Sequence, residues 1–305
     1  MKKFLVMICG PTAVGKTEVA IEVAKHFGTE IISADSRQVY REMRIGTAAP
    51  DAHQRDAVPH HLIGHISVTD PYNVSRYEGE VMSLLEGLFS TRQMVILAGG
   101  SGLYLDVISR GIDDLPDIDP ALRRNLRQKY EERGIVWLQE EVARLDPDYF
   151  GRVDRMNPSR LLRALEVFET CGQPFSTLRI SKEVQRPFSI IKVGLTLPRE
   201  VLNQRIDMRV ERMIGDGLVE EYRTLFPFRE LNALNTVGYK EIFTFLDDRC
   251  TLEQAVEKIK TNTRRYAKRQ MTWFKRDQGI RWFSPDDTGI LIRYLTDQIQ
   301  CKESQ

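Results

Sequence analysis

The chain has 305 residues, of which 42% are hydrophobic and 29% are charged, and its formal net charge is +1. This composition is that of a folded protein with one large or two modest domains, and it excludes a disordered or fibrous chain. The cysteines at positions 9, 171, 250 and 301 are far apart and include no Cys-x-x-Cys pair, so a disulfide framework is not expected. No apolar run is long enough to span a bilayer. We therefore expect a cytoplasmic protein that does not contact a membrane.

The first predicted element is a buried strand at residues 4–9, followed directly by a glycine-containing turn and a helical pattern at residues 18–27. The turn consists of Gly10, Pro11, Thr12, Ala13, Val14, Gly15, Lys16 and Thr17. Its glycines let backbone N–H groups face an anion, Lys16 can reach an outer phosphate, and the Thr17 hydroxyl can bind Mg²⁺. With a strand before it and a helix after it, the turn is predicted to be a nucleotide-type phosphate-binding loop with Mg²⁺ as cofactor.

Three further apolar runs, at residues 30–34, 94–98 and 190–197, are also predicted to be strands. Helical patterns lie between the first strands, and this alternation is typical of a parallel sheet with helices on both faces. The predicted fold class is therefore α/β, with a parallel sheet of the phosphate-loop NTPase type flanked by helices.

Strand signals are absent between residues 113 and 187. Helical patterns occupy residues 120–132, 136–145 and 158–171 of this region. We interpret the region as an inserted all-helical domain, entered through a segment rich in proline and aspartate. The predicted core domain then comprises residues 1–112 and 188–305, and the insertion comprises residues 113–187.

A polar cluster, Asp35-Ser36-Arg37-Gln38, follows the second predicted strand. Ligands of an open parallel sheet bind beyond the carboxyl ends of its strands, so Asp35 is expected to face the phosphates held by Lys16. A carboxylate there can act as a general base, although aspartate is equally common as a turn residue or helix cap. Apart from the run leading into Asp35, no predicted strand ends in the acidic residue that supports Mg²⁺ in nucleotide hydrolases. ATP hydrolysis is therefore not the expected reaction.

Residues 258–276 carry eight Lys or Arg residues and contain no acidic residue, proline or glycine, so they are predicted to form one helix. At helical spacing, apolar side chains such as Tyr266 and Phe274 share one face, which we expect to be buried. Basic side chains such as Arg264 and Lys268 share the opposite face. That face is either solvated surface or a binding surface for phosphate groups.

Nine segments, taken in order along the chain, together resemble the bacterial tRNA dimethylallyltransferase family. They are residues 10–17, Asp-Ser-Arg-Gln-Val-Tyr at 35–40, Ile-Gly-Thr-Ala-Ala-Pro at 45–50, Pro-His-His-Leu at 59–62, Gly-Gly-Ser-Gly-Leu-Tyr at 99–104, Asn-Pro-Ser-Arg-Leu-Leu-Arg-Ala-Leu-Glu at 157–166, Gly-Tyr-Lys-Glu at 238–241, Thr-Arg-Arg-Tyr-Ala-Lys-Arg-Gln at 263–270 and Thr-Trp-Phe at 272–274. Kinases share the phosphate loop, but the ordered set, which extends to about residue 283, is specific to this family.

The resemblance implies transfer of a dimethylallyl group from its diphosphate to N6 of the adenosine on the 3′ side of a tRNA anticodon. The phosphate loop would hold the diphosphate leaving group, with Lys16, Thr17 and Mg²⁺ stabilising its charge, and Asp35 would be the base. Arg209, and after it Arg205, would bind the diphosphate, although a surface salt bridge is the alternative role for these arginines. The expected partners are tRNA and dimethylallyl diphosphate, and the expected state is a monomer.

The resemblance also implies a set of tRNA contacts, with the helical insertion gripping the anticodon stem-loop. The set comprises Asp35, Ser36, Arg37, Gln38, Ser101, Arg123, Ser159, Arg160, Leu161, Leu162 and Arg163. Within it, Ser36 and Gln38 are expected at the edge of an adenine that has left its stack. The alternatives are a small-molecule kinase, an isopentenyltransferase that acts on free adenine nucleotides, and a non-catalytic RNA-binding module. A free nucleotide requires neither the helical insertion nor the basic helix.

Overall fold

The computed structural model describes residues 2–113, 115–179 and 184–304. Met1, Asp114, residues 180–183 and Gln305, which the predicted domain ranges include, lie outside the described residues. The chain divides into two compact units. The first comprises Met1–Ser109 with Gln185–Gln305, and the second comprises Arg110–Val184. No helix in the described residues is long and apolar enough to cross a membrane.

The first unit contains a parallel sheet. Its strands are β1 (Phe4–Cys9), β2 (Ile31–Ser33), β3 (His60–His61), β4 (Met94–Gly99), β5 (Ser189–Leu195) and β6 (Arg281–Phe283), in the spatial order β3-β2-β4-β1-β5-β6. Strand β1 pairs with β4 on one side and β5 on the other, and each of its residues is buried. A strand covered on both faces is an uninterrupted apolar run, which explains the sequence Phe-Leu-Val-Met-Ile-Cys. The predicted parallel α/β sheet is confirmed.

The described α-helices follow in chain order. They are α1 (Lys16–Phe27), α2 (Ala52–Ala57), α3 (Val74–Thr91), α4 (Gly102–Arg110), α5 (Pro120–Leu145), α6 (Pro147–Phe150), α7 (Pro158–Cys171), α8 (Phe175–Leu178), α9 (Arg199–Gly215), α10 (Leu218–Leu225), α11 (Tyr239–Leu246), α12 (Leu252–Phe274) and α13 (Thr288–Glu303). The predicted basic helix corresponds to α12. It begins earlier than predicted because Thr251 and Gln254 form a reciprocal capping box at its start.

Two strands, β3 and β6, were not predicted. Both are short edge strands, and β3 pairs with β2 whereas β6 pairs with β5. Runs of two or three residues are too short for a periodic pattern, so their pairing depends on neighbours that are distant in sequence.

The second unit, in its described residues, contains α5–α8 and no strand. Helix α5 is interrupted at Gly134, where φ is 76° and ψ is −173°, and this break separates the two helices predicted at 120–132 and 136–145. The core of the second unit includes Leu138 and Val142 of α5 together with Leu161 of α7. Leu161 is 0% exposed. The side chain of Leu161 therefore supports α7 from the core, and the predicted tRNA contact at this position stays a prediction.

Candidate active site

The predicted phosphate-binding loop connects β1 to α1 at the carboxyl end of the sheet. Gly15 immediately precedes α1 and has φ of 105°, a conformation that a side chain would strain. Gly15 O accepts the hydrogen bond of Val19 N at 3.2 Å, so the loop leads directly into the first turn of the helix. The free N–H groups of such a turn, with the positive end of the helix dipole, favour an anion.

Lys16 and Arg209 bring two half-buried cations to this loop. The ammonium of Lys16 donates to Gly10 O at 3.0 Å and Pro11 O at 2.7 Å. Burial, with a further contribution from the charge of Arg209, lowers the pKa of Lys16 to about 8. Burial likewise lowers the pKa of Arg209, and Asp35 opposes that shift. Because both cations are disfavoured without a counter-charge, a ligand with several negative charges would stabilise them together.

These side chains line a cavity of about 870 Å³ within the first unit. Its walls include Thr12, Ala13, Gly15, Lys16 and Thr17 of the phosphate loop, Asp35, Arg37 and Gln38 after β2, residues 44–51, Arg205 and Arg209 of α9, Glu221 of α10, and Tyr266 and Gln270 of α12. Gly10, Pro11 and Val14 belong to the same loop but are buried and are not among the residues that line the cavity. The volume is in the range of pockets that enclose small ligands.

Asp35 caps a turn and lines the cavity at the same time. Its Oδ1 accepts hydrogen bonds from Arg37 N at 2.9 Å and Gln38 N at 3.3 Å. Among the described residues no donor is bound to Oδ2. The two roles considered for Asp35, turn cap and general base, are therefore compatible. One oxygen accepts the hydrogen bonds that orient the carboxylate, and the other is available to accept a proton from a ligand.

Gln38, Ser36 and Ser101 are bound to other parts of the protein. Gln38 Nε2 donates to Thr47 O at 3.3 Å and Ala48 O at 3.2 Å, and its Oε1 accepts from Ser33 Oγ at 3.1 Å. Ser101 Oγ accepts from Ser36 N at 2.9 Å and donates to Ser36 Oγ at 3.3 Å. These contacts orient the loop after β2, and the predicted adenine contacts of Ser36 and Gln38 stay predictions.

Arg205 and Arg209 project from consecutive turns of α9 and differ in their contacts. Arg209 Nη2 donates to Thr47 O at 3.3 Å. Arg205 Nη1 donates to Val14 O at 3.3 Å, and its Nη2 lies 3.8 Å from the carboxylate of Asp286. Arg205 thus reaches the phosphate loop and also forms the salt bridge considered as its alternative role.

Comparison with known proteins gives a consistent result. Residues 38–277 match the family model described as IPP transferase. The chain is 50% identical over 302 residues to tRNA dimethylallyltransferase of Christiangramia forsetii, which covers 99% of both chains. It is 48% identical over 291 residues to tRNA dimethylallyltransferase 1 of Bacteroides thetaiotaomicron, which covers 95% of this chain and 94% of that one. The chain belongs to the tRNA dimethylallyltransferase family.

Solved structures agree with this family assignment. The full-length tRNA isopentenylpyrophosphate transferase of Bacillus halodurans has a TM-score of 0.74 and 32% identity over 99% of both chains. A eukaryotic dimethylallyltransferase acting on tRNA has a TM-score of 0.73 and 27% identity, covering 89% of this chain and 70% of that one. The resemblance inferred from the ordered motifs is therefore confirmed, as is the fold class.

In this member of the tRNA dimethylallyltransferase family, Gln270 joins two loops of the site, a role that the sequence analysis missed. It is 7% exposed. Its Oε1 accepts from Thr12 N at 2.8 Å, and its Nε2 donates to Gly100 O at 2.9 Å. The available signal was its position, since residue 270 shares the buried face of α12 with Ala267 and Phe274. A polar side chain on such a face requires specific partners.

Two cations of the basic helix are paired with acidic side chains. Lys260 lies 3.0 Å from Glu211 and 2.8 Å from Glu257, and Arg264 lies 3.2 Å from Asp207. Glu211 and Asp207 belong to α9, so the sequence of α12 alone could not reveal the pairs that they form, whereas Glu257 lies one turn before Lys260 in α12 itself. Lys268 and Arg269 are exposed.

The second unit of this family member carries the remaining predicted tRNA contacts. Arg123 and Arg163 flank the carboxylate of Glu166 at 3.1 and 3.5 Å. Ser159 and Arg160 are exposed in the first turn of α7. Leu162 is partly buried against the core of this unit. The exposed first turn and the two arginines therefore form the polar part of the set.

Proposed function

We propose that the protein transfers the dimethylallyl group of dimethylallyl diphosphate to N6 of the adenosine on the 3′ side of a tRNA anticodon. The observation that carries this proposal is one cavity lined by two half-buried cations, Lys16 and Arg209, and a carboxylate, Asp35. The cations can bind the negatively charged diphosphate, and the carboxylate can accept the proton that the attacking amine must lose. Membership of the tRNA dimethylallyltransferase family favours this reaction over phosphoryl transfer by a kinase.

The proposed step forms the bond between N6 and the first allyl carbon and breaks the bond between that carbon and the diphosphate oxygen. The bonding electron pair leaves with the diphosphate, whose added charge is stabilised by Lys16, Arg209 and the loop N–H groups. The proton of N6 passes to Oδ2 of Asp35, which accepts no protein hydrogen bond among the described residues. Such a positioned base typically contributes about 10² to 10⁴ in rate.

Mg²⁺ is proposed as the cofactor, and the residues present fit it. In phosphate loops of this kind a Ser or Thr hydroxyl binds Mg²⁺, which also binds substrate phosphates and water. Thr17 lines the cavity and would supply a hydroxyl oxygen. The described residues include no group of three or more His, Cys, Asp or Glu residues that could hold a metal. When bound, Mg²⁺ would neutralise part of the leaving-group charge.

We further propose that the second unit binds the anticodon stem-loop, through Ser159, Arg160, Arg163 and Arg123. Exposed arginines and the N–H groups at a helix start both bind RNA phosphates. The proposal includes a monomer, since one chain supplies the loop, the base and the cations of the cavity. It also includes action in the cytoplasm, which is consistent with a tRNA substrate.

The test is to incubate the purified protein with unmodified tRNA, Mg²⁺ and dimethylallyl diphosphate, and to analyse the digested nucleosides by mass spectrometry. We expect N6-dimethylallyl adenosine from tRNA and no product from free adenosine monophosphate. Modification of the free nucleotide alone would support the nucleotide isopentenyltransferase instead. ATP turnover without tRNA modification would support a kinase and overturn the proposal.

Replacing Arg209 with alanine is expected to raise the KM for dimethylallyl diphosphate by about tenfold or more, because a charge-assisted contact to the diphosphate is lost. Arg205→Ala should have a smaller effect, since the guanidinium of Arg205 also forms an ion pair with Asp286. Steady-state kinetics at saturating tRNA will measure both. A defect of Arg209→Ala confined to tRNA affinity would contradict the assignment.

Binding of tRNA is expected to weaken by at least about tenfold when the salt concentration rises from about 50 to 200 mM, because phosphate contacts release counterions. Arg160→Ala should make the slope of log K against log salt less steep by about one, because one phosphate contact is lost. Filter binding or fluorescence anisotropy will measure the affinity. Affinity that is independent of salt would point to a partner other than RNA.

A further inference from the structure

The carboxylate of Glu221, in the first turn of α10, holds a loop that lines the cavity. The backbone N–H of Ile45 donates to Oε2 at 2.6 Å, and that of Gly46 donates to Oε1 at 2.9 Å. The hydroxyl of Tyr239 also donates to Oε1, at 2.9 Å. Among the described residues Glu221 forms no ion pair, so these three donors and the start of α10 stabilise its charge.

One residue after Gly46, a backbone carbonyl of the same loop accepts hydrogen bonds from two side chains of the proposed site. Thr47 O accepts from Arg209 Nη2 at 3.3 Å and from Gln38 Nε2 at 3.3 Å. Gln38 Nε2 also donates to Ala48 O, at 3.2 Å. The loop is thus bound by Glu221 at Ile45 and Gly46 and provides the acceptor that Arg209 and Gln38 share at Thr47. A displacement of the loop would displace that acceptor.

Packing leaves this loop little freedom as long as its bonds to Glu221 are made. A Cβ atom at Gly46 would lie 2.7 Å from Oη of Tyr222 and 2.8 Å from Oη of Tyr239, which is closer than van der Waals contact allows. Both tyrosines are buried, at 1% and 0% exposure, so their rings cannot swing aside. The loop therefore lies between a carboxylate that binds its backbone and two rings that limit its approach.

We propose that Glu221 is a positioning residue for diphosphate binding. By holding Ile45 and Gly46 it sets the place of the Thr47 carbonyl, and through that carbonyl the place of the Arg209 guanidinium. Both oxygens of Glu221 are engaged by protein donors, so it acts through the loop and not on the reacting atoms. This inference rests on the proposed function, since it explains how the cation assigned to the diphosphate is held.

The direct test is Glu221→Gln. The amide has the same shape but places an N–H₂ group opposite the backbone N–H of Ile45 or of Gly46, so at least one of these two hydrogen bonds becomes a repulsion. We expect the KM for dimethylallyl diphosphate and the Kd for inorganic diphosphate each to rise by about tenfold, with kcat and tRNA affinity changed by less than about threefold. The matched control is Glu220→Gln, because Glu220 is the exposed neighbour that binds Arg223 at 2.6 Å. It should match the wild type.

A second variant reaches the same loop without altering the carboxylate. Gly46→Ala adds the Cβ that meets Tyr222 and Tyr239, so it should shift the loop and raise the Kd for diphosphate as Glu221→Gln does. Amide hydrogen exchange should become faster at Ile45 and Gly46 in both variants. This second variant keeps the inference testable if Glu221→Gln does not fold.

Two results would overturn the inference. One is diphosphate binding in both variants equal to that of Glu220→Gln. The other is faster exchange of the loop without any change in diphosphate affinity, which would give Glu221 a purely structural role. A wild-type protein that binds diphosphate but does not modify tRNA would instead count against the proposed function, because calorimetry with inorganic diphosphate does not depend on the reaction.

Discussion

Asp35→Asn is expected to lower kcat by about 10² to 10⁴ while the affinity for tRNA changes by less than about twofold. Asparagine keeps the oxygen that accepts from Arg37 N and Gln38 N, so the turn after β2 should remain formed. It lacks the second carboxylate oxygen and therefore cannot take a proton from N6. Single-turnover kinetics with saturating substrates will measure the chemical step.

Two companion variants separate the base from the cap. Asp35→Ala removes both functions, so its kcat should fall as far as that of Asp35→Asn. Its thermal stability should fall as well, since loss of a capping side chain typically costs about 0.5–2 kcal/mol. Asp70→Asn is the matched control, because Asp70 binds the backbone N–H of Ser67 at 2.9 Å and does not line the cavity. An Asp35→Asn enzyme with the wild-type rate would remove Asp35 from the chemistry.

Lys16→Met is expected to lower kcat/KM by about 10² to 10³, the usual effect of deleting one donor that stabilises charge in a transition state. Methionine retains the length and much of the packing of the lysine stem but has no charge to offer the leaving diphosphate. Steady-state kinetics will measure the loss. Diphosphate should also raise the Tm of the wild type and leave the Tm of Lys16→Met nearly unchanged, because binding to the folded state is the source of the shift.

The control for this variant is Lys25→Met, an exposed position in the last turn of the same helix. It should retain both the rate and the diphosphate-dependent increase in Tm. If Lys16→Met keeps either property at the wild-type level, the phosphate loop does not act through its lysine. Retained diphosphate binding would also mean that another cation supplies the charge that balances the diphosphate.

Asp35 illustrates how sequence and structure divide the explanation of one residue. Its place after a predicted strand was sufficient to put it at the carboxyl end of the sheet, facing the phosphate loop. Whether it was a base or a turn cap could not be decided from that place. Atomic contacts show the cap, because one oxygen accepts from Arg37 N and Gln38 N, and among the described residues they leave the other oxygen without a protein donor. The role as a base stays a proposal.

Sequence alone determined the features that depend on local order. The phosphate loop between β1 and α1, the parallel α/β class, the basic helix and the family resemblance all follow from short patterns, because neighbouring residues set strand, turn and helix geometry. The break of α5 at Gly134 has the same local origin. These features would be expected from any chain with the same periodicities and motifs.

Tertiary structure alone decided the contacts between residues that are far apart in the chain. Gln270 joins the phosphate loop to Gly100, Glu221 holds Ile45 and Gly46, and Arg264 is neutralised by Asp207. Each pair is separated by tens to hundreds of residues, and each depends on how α9, α10 and α12 pack beside the sheet. No local pattern encodes such a partner, because a hydrogen bond or ion pair is specified by position in space and not by spacing along the chain.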